Sequence, residues 1–359
     1  MICDGRWSAL LAAMFCIGCS AANPYTLPEK PHHTPDGFQN NYLRGPIGGS
    51  FLTWQWDRIT HGLPTAPANG YRFPVDAPDL AWLAANRSVT SATWIGHATM
   101  LMQVGGVNLL TDPVFSERAS PVGFAGPKRK VPVPLTIAQL PHIDVVLISH
   151  NHYDHLDRDS VQQLNRQAGG APLFMVPLGV KAWMADAGIS NVRELDWWQQ
   201  TSVPGLDIHF VPAQHWSARG LGDRFQTLWG GWMVQSAAIP SGSTPFTFFF
   251  AGDTGYSQDF ADIRQRFPVI DLALLPIGAY EPRWFMQKQH INPVEAVKIH
   301  RDLHARQSIA IHWGTFELTD EPLDAPPLAL ATALHEAGVP AQDFAVLRHG
   351  QTLKFQANR

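Results

Sequence analysis

The stretch ISHNHYDHLD, residues 148–157, constrains this chain more than any other feature. It holds His150, His152 and His155 together with Asp154 and Asp157, and it runs straight out of the apolar segment IDVVLIS (residues 143–149). That segment is short, rich in β-branched residues and preceded by Pro141, so it reads as a buried strand. The cluster therefore sits where a strand leaves a packed sheet and can aim side chains at one point. His150 and His152, two apart, point the same way from an extended backbone. Asp154 and His155 follow where the chain turns. Neutral imidazole and carboxylate in one place are typical ligands for zinc-like ions.

Bulk composition limits the partners. A net charge of -4, a pI near 6.4 and the lack of basic runs argue against nucleic acid. With 45% hydrophobic and 16% charged residues, 359 residues can bury a sizeable core as one large domain or two ordinary ones. Cys3, Cys16 and Cys19 all lie at the N-terminus, so a metal site further along must use nitrogen and oxygen donors. Around them, Arg6 and the apolar run WSALLAAMFCIG resemble a secretory signal peptide over residues 1–19. CIGCS resembles the lipobox of bacterial lipoproteins, although Cys16 stands where Leu is usual and Asp4 weakens the positive leader. The expectation is export and a lipid anchor on Cys19 in the cell envelope, with Ser20 favouring the outer membrane; plain export or an N-terminal anchor is the alternative. The run is too short to read as a spanning helix.

Residues 20–90, rich in Pro, Gly and His, read as an extended arm over the domain, with His32, His33 and His61 as ordinary exposed histidines. Residues 91–359 read as one α/β domain. SATWIGHATMLMQVGGVNLLTDP predicts strand, turn and strand, and DRDSVQQLNRQAG a helix from Asp159 to Gly169. Further on, LDIHFVPAQHW, PFTFFFAGDTGY and QSIAIHWGTF predict strands running into His215, Asp253 and His312. NPVEAVKIHRDLHA predicts a helix with Asn292 as its cap and Pro293 in its first turn. Four strands that end in His or Asp at one edge make a site.

Two metal positions assemble from these residues. His150, His152 and His215 supply one ion; Asp154, His155 and His312 supply the other, and Asp253 bridges. Two ions roughly 3.5–4 Å apart lower the pKa of water between them and polarise a phosphoryl oxygen. With two carboxylates and one hydroxide they leave a net charge of about +1, which attracts a phosphodiester. Asp112, in LLTDP, is a candidate acceptor for a ligand imidazole N–H; a turn-initiating Asp before Pro113 is the other account of it.

These motifs resemble the metallo-β-lactamase fold, whose HxHxDH signature stands here as HNHYDH. The longer words WIGHATMLM, TDPVFSERASP, GPKR, ELDWW, FFFAGDTGY, PIGAYEPRWFM and AIHWGTF resemble the phospholipase D family that hydrolyses N-acylphosphatidylethanolamine, with its bacterial members. The resemblance runs from about Ser91 to the C-terminus. It implies a four-layered αβ/βα sandwich with two zinc ions (iron or manganese being other occupants of such sites), and hydrolysis of N-acylphosphatidylethanolamine to a fatty acid ethanolamide and phosphatidic acid. It implies that His290 binds phosphate or protonates the leaving group, a surface histidine ahead of a helix being the other account of it, with Asp154 at the metals; Tyr153, between two ligands, either hydrogen-bonds the phosphate or simply packs. His97 falls outside the ligand set and reads as a buried support to it. Tyr280, Glu281, Arg283 and Trp284 are expected to line the groove, an Arg–Glu structural pair being an equal account of the charged two. A homodimer is expected by resemblance only. The loop Val122–Gly126 is more apolar than in the animal enzyme. A membrane-facing rim of Trp54, Trp56, Phe115 and Phe124 would suit a phospholipid substrate. The alternatives are a hydrolase of a lactone or soluble phosphodiester on the same fold, and a non-catalytic metal-binding envelope lipoprotein.

Overall fold

In a computed structural model of the chain, residues 23–43, 50–64, 66–236 and 245–355 are described. The leader and lipobox reading of residues 1–19 lies outside them. A short ladder of β1 (His33–Thr34) and β2 (Gly37–Phe38) precedes helices α1 (Phe51–His61) and α2 (Leu80–Ala85). The first half then builds β3 (Ser91–Gly96), β4 (Thr99–Val104), β5 (Val107–Thr111), β6 (Val145–Leu147), α3 (Arg158–Asn165), β7 (Leu173–Pro177), α4 (Val180–Asp186) and β8 (Val192–Leu195). The second supplies β9 (Gln200–Val203), β10 (Leu206–Val211), β11 (Gly231–Ser236), β12 (Thr247–Phe250), α5 (Asp259–Arg266) and β13 (Leu272–Pro276). It closes with α6 (Arg283–Met286), α7 (Pro293–Asp302), β14 (Gln307–Ile311), α8 (Ala325–Ala337), β15 (Phe344–Ala345) and β16 (Thr352–Lys354).

Two seven-stranded mixed sheets result, ordered β16-β3-β4-β5-β6-β7-β8 and β15-β14-β13-β12-β11-β10-β9. Strand period two sorts the side chains between layers. In β4, Met100 and Met102 face the core shared with the second sheet, where Phe210, Trp232 and Phe248 are buried. Leu101 between them faces the other way, into a cluster with Leu83 of α2, Leu164 of α3 and Met184 of α4. Helices thus cover the outer face of the first sheet, and α5, α7 and α8 pack outside the second. This is the four-layered αβ/βα sandwich. Strands β5 to β8 and β12 to β15 run parallel, and ligands in open α/β sheets bind beyond the carboxyl ends of such strands.

The segment before Ser91 is not uniformly extended. Ser50 caps α1 by accepting from the Thr53 N–H, and Gly62 ends it at φ 76°. Trp54 is buried rather than on a rim: it stacks on Phe285 with ring centroids 5.0 Å apart and donates its indole N–H to Asp320 at 2.7 Å. His32 and His33 are also buried, not exposed. They converge with Lys30 on the Asp196 carboxylate, His32 Nε2 at 2.7 Å and His33 Nε2 at 3.0 Å. Burial alone would raise the Asp196 carboxyl, but bonds from His32 and Lys30 outweigh it and hold the group at about 2. A carboxylate so depressed stabilises the fold above its unfolded value near 3.8, and that stability is lost as pH falls through about 2. Burial likewise lowers His32, so its neutral form adds stability that starts to be lost below pH 6.5. Acid should therefore loosen residues 23–43 before the sheets unfold. Limited proteolysis across a pH series should show cleavage there first, and Asp196→Asn should move that cleavage to higher pH.

Candidate metal centre

The candidate residues gather where the strands end. Asp112 follows β5, and Ser149, His150 and the rest of the cluster follow β6. His215, Asp253 and His312 follow β10, β12 and β14. His150, His155, His215, Asp253 and His312 are buried. Three positions here hold left-handed backbone without being glycine, His97 at φ 53°, Asp112 at 31° and His312 at 61°. Such conformations cost roughly 1–3 kcal/mol each and persist where the surroundings over-determine them. His312 shows how: its backbone N–H donates to the His97 carbonyl at 2.9 Å, and a methyl on Gly278 would come within 2.3 Å of its own carbonyl oxygen.

Two sets of donor atoms converge. In the first, His152 Nδ1 lies 2.8 Å from His150 Nε2 and 3.3 Å from His215 Nε2. In the second, Asp154 Oδ2 is 3.3 Å from His155 Nε2 and 3.4 Å from His312 Nε2. Asp253 touches that set through His155 at 3.2 Å and His312 at 3.1 Å, and reaches toward the first at 3.9 Å from His215 Nε2. Three of the five histidines have their outer ring nitrogen assigned, whereas His152 Nε2 and His312 Nδ1 have no hydrogen-bond partner. His155 Nδ1 donates to Asp112 Oδ2 at 2.6 Å and His215 Nδ1 to the Gln289 carbonyl at 2.9 Å. The Ser149 hydroxyl donates to Asp112 at 2.5 Å, leaving its oxygen to accept from His150 Nδ1 at 2.9 Å. With those N–H groups facing outward, His150 Nε2 and His215 Nε2 turn lone pairs toward His152 Nδ1, an arrangement that a cation shared by the three rings suits.

The electrostatics agree. Burial and neighbouring imidazoles push His150 and His152 well below their ordinary value, so they stay unprotonated ligands. Burial opposes the charge on Asp154 and Asp253, yet the adjacent histidines hold both carboxyls well below their usual range. Burial also opposes charge on His155 and His312, but the Asp253 and Asp154 carboxylates win, raising His155 well above its usual value and His312 to about 9. Buried negative charge here requires positive charge beside it, and a divalent ion satisfies that requirement. The donor set thus fits two cations held by nitrogen and oxygen alone.

The remaining candidates divide. His97 Nε2 sits 2.9 Å from Asp154 Oδ2, and Asp112 accepts from Ser149 and His155 rather than merely starting a turn. His290 Nδ1 faces Asp253 Oδ2 at 3.7 Å with no hydrogen-bond partner, and burial lowers its pKa to about 3. Tyr153 does not face the cluster with its hydroxyl: that group donates to the Arg219 carbonyl at 2.8 Å while the Arg219 guanidinium covers its ring. Arg283 is also committed, to Glu295 at 2.7 Å and to the His290 carbonyl at 2.9 Å. Its structural partner is Glu295 and not Glu281, whose carboxylate caps the Arg283 backbone N–H at 2.9 Å. Both brace the loop carrying His290. Tyr280 is nearly buried and Trp284 is 44% exposed. Of the proposed rim, Trp56 and Phe124 are exposed at 65% and 85%. Sequence reasoning passed over Asn40, Ser149 and Gln289, which act through hydrogen bonds to the ligands' backbone or outer nitrogens and leave no spacing pattern to read.

A two-sheet sandwich that collects buried histidines and aspartates at its strand ends is the architecture of a metal-dependent hydrolase of the metallo-β-lactamase fold. The chain belongs to that superfamily: residues 107–313 match the model of the beta-lactamase superfamily domain. It is similar to N-acyl-phosphatidylethanolamine-hydrolyzing phospholipase D 1 of Caenorhabditis elegans, 45% identical over 237 residues, which are 63% of this chain and 64% of the worm protein. The chain therefore spans less than two thirds of that relative. An uncharacterized protein of Mycobacterium tuberculosis is 40% identical over 283 residues, 77% of this chain and 72% of its own. Among solved structures, isothiocyanate hydrolase from Delia radicum gut bacteria shares the fold at a TM-score of 0.58 and 23% identity, over 74% of this chain and 100% of that one.

Proposed function

We propose that this metal-dependent hydrolase is a phosphodiesterase of the phospholipase D type, acting on N-acylphosphatidylethanolamine to release N-acylethanolamine and phosphatidic acid. The observation that carries the reading is the pair of donor sets meeting at Asp253 beside the unpartnered His290. His150, His152 and His215 would hold one ion, and Asp154, His155 and His312 the other, with Asp253 between; zinc is our assignment, and iron or manganese would suit the same donors. Ions bound there would supply activated water and neutralise charge on the phosphoryl group. His290 can then hydrogen-bond a phosphoryl oxygen or pass a proton to the departing ethanolamide oxygen as the P–O bond breaks. His97 and Asp112 keep Asp154 and His155 oriented. The similarity to the worm protein supports the lipid substrate.

The surface next to the site supports a bilayer as the place of encounter. Phe51, Leu52, Trp56 and Ile59 of α1 are 58%, 78%, 65% and 76% exposed, and α1 packs through Trp54 on Phe285, next to Trp284. Such an apolar stripe on one face of α1 suits a lipid surface. A lipid anchor on Cys19 would hold the enzyme there. Replacing Trp56 and Ile59 by Ser should weaken vesicle binding by about tenfold for each large side chain withdrawn from lipid. Hydrolysis of a short-chain soluble phosphodiester should be unchanged, and equal loss on both substrates would sink the membrane role.

The deciding assay measures products from N-acylated and plain phosphatidylethanolamine, with metal content on the same sample. Release of N-acylethanolamine supports the reading. Two bound ions without turnover of either lipid would hand the substrate to a lactone or a soluble phosphodiester.

A further inference from the structure

Residues 23–43 form a strap over the loops that follow β8 and β10, and its far end reaches the metal centre. The Asn40 amide is buried and grips the backbone of His215 from both sides. Its Nδ2 donates to the His215 carbonyl at 3.0 Å, and its Oδ1 accepts the His215 N–H at 2.9 Å. The same Oδ1 accepts the Trp229 indole N–H at 3.1 Å, and Trp229 also donates to the Ala213 carbonyl at 3.0 Å. This two-point grip replaces the ladder that β10 has lost by that point, since β10 ends at Val211. The strap is held at its other end by the Lys30, His32 and His33 contacts to Asp196, with His32 stacked on Trp197 at 4.4 Å. Trp197 in turn donates to the Trp229 carbonyl at 2.6 Å, so latch and grip share one buried path. Gly37 permits the close approach: a methyl there would stand 2.3 Å from the Phe225 carbonyl, which accepts the Phe38 N–H at 2.9 Å.

We infer that the strap is a positioning element for the metal centre, and that Asn40 sets where His215 delivers its nitrogen to the three-histidine position. Asn40 touches neither metal nor substrate; it acts through His215, whose ring is fixed from the other side by Gln289. The segment lies outside residues 107–313, so the superfamily domain completes its first metal position with a piece of chain that precedes it. The inference rests on the two-metal reading but not on the identity of the substrate.

The test is Zn2+ binding by the full chain, followed by chelator competition, for the unaltered protein, Asn40→Ala and Asn41→Ala. Asn41 is the neighbouring strap residue and bonds Asp259 at 2.8 Å, away from the centre. Asn40→Ala should weaken one equivalent of zinc by roughly 10–100-fold, as loss of an outer partner does at other metal sites, and leave the second unchanged. Asn41→Ala should bind both as the unaltered chain does. A merely structural role would lower the metal-free melting temperature and weaken both equivalents together, and that result overturns the inference, as does unchanged binding. Asn40→Ser, which keeps one polar group in a smaller volume, decides the matter if Asn40→Ala does not fold. A chain that binds no zinc pair ends the metal-centre reading and this inference with it. One that binds both ions and hydrolyses no lipid ends only the phospholipase reading.

Discussion

Asp253→Asn should reduce hydrolysis by well over 100-fold, beyond the 10–100-fold typical of losing a ligand's outer partner. Asp253 lies within 4 Å of histidines of both donor sets, at 3.2 Å from His155, 3.1 Å from His312 and 3.9 Å from His215. It also lies 3.7 Å from His290. The amide keeps the shape but removes a negative charge that would balance the two divalent ions and an oxygen that would hold them. Metal analysis should show fewer than two ions retained at equal free zinc. If Asp253→Asn keeps both ions and its turnover, the bridging role is wrong and the two sets are independent.

Asp112→Ala should be the most damaging change to stability outside the hydrophobic core. Its fully buried carboxylate accepts from the Ser149 N–H at 2.7 Å, the Ser149 hydroxyl at 2.5 Å and His155 Nδ1 at 2.6 Å. Removing one side of a buried charged network leaves the other donors unpaired, at a cost of roughly 3–5 kcal/mol. For a domain of this size that corresponds to a fall of roughly 5–10 °C in Tm. Asp112→Asn, which keeps an acceptor for the Ser149 N–H, should lose less. Scanning calorimetry of the metal-free proteins separates this effect from metal loss; a drop seen only in the zinc-loaded protein would mean that Asp112 serves the metal and not the fold.

Much of this centre could be read from the sequence because its ligands obey strand geometry. Each stands just past an apolar run, and the pattern that hides a strand in a sheet also announces where the strand ends. The Asn292 cap and Pro293 start of α7 were legible for a similar reason, since Glu295 completes a capping box there. The segment before Ser91 was harder. Its prolines mask the Ser50 and Gly62 signals that bound α1, and nothing local marks His32 and His33 as buried, because their partner Asp196 lies far along the chain. The strands β9 and β11 escaped notice as well; β11 has Phe210 and Phe250 opposite its Trp232, a pairing that exists only after the sheet forms. Of the two readings open for Tyr153 the contacts match packing, a choice sequence adjacency could not make because Arg219 reaches the ring from the loop after β10.

The division of donors between the sheets carries a consequence for assembly. His150 and His152 leave the first sheet and His215 the second; Asp154 and His155 leave the first, Asp253 and His312 the second. Neither half-chain alone contains a complete set. Each bound ion would act as a rivet through the seam between the two halves, so zinc can be captured tightly only after the halves have met. Zinc uptake during refolding would then be a clock for that docking event, reporting when the two sheets have closed on their shared core.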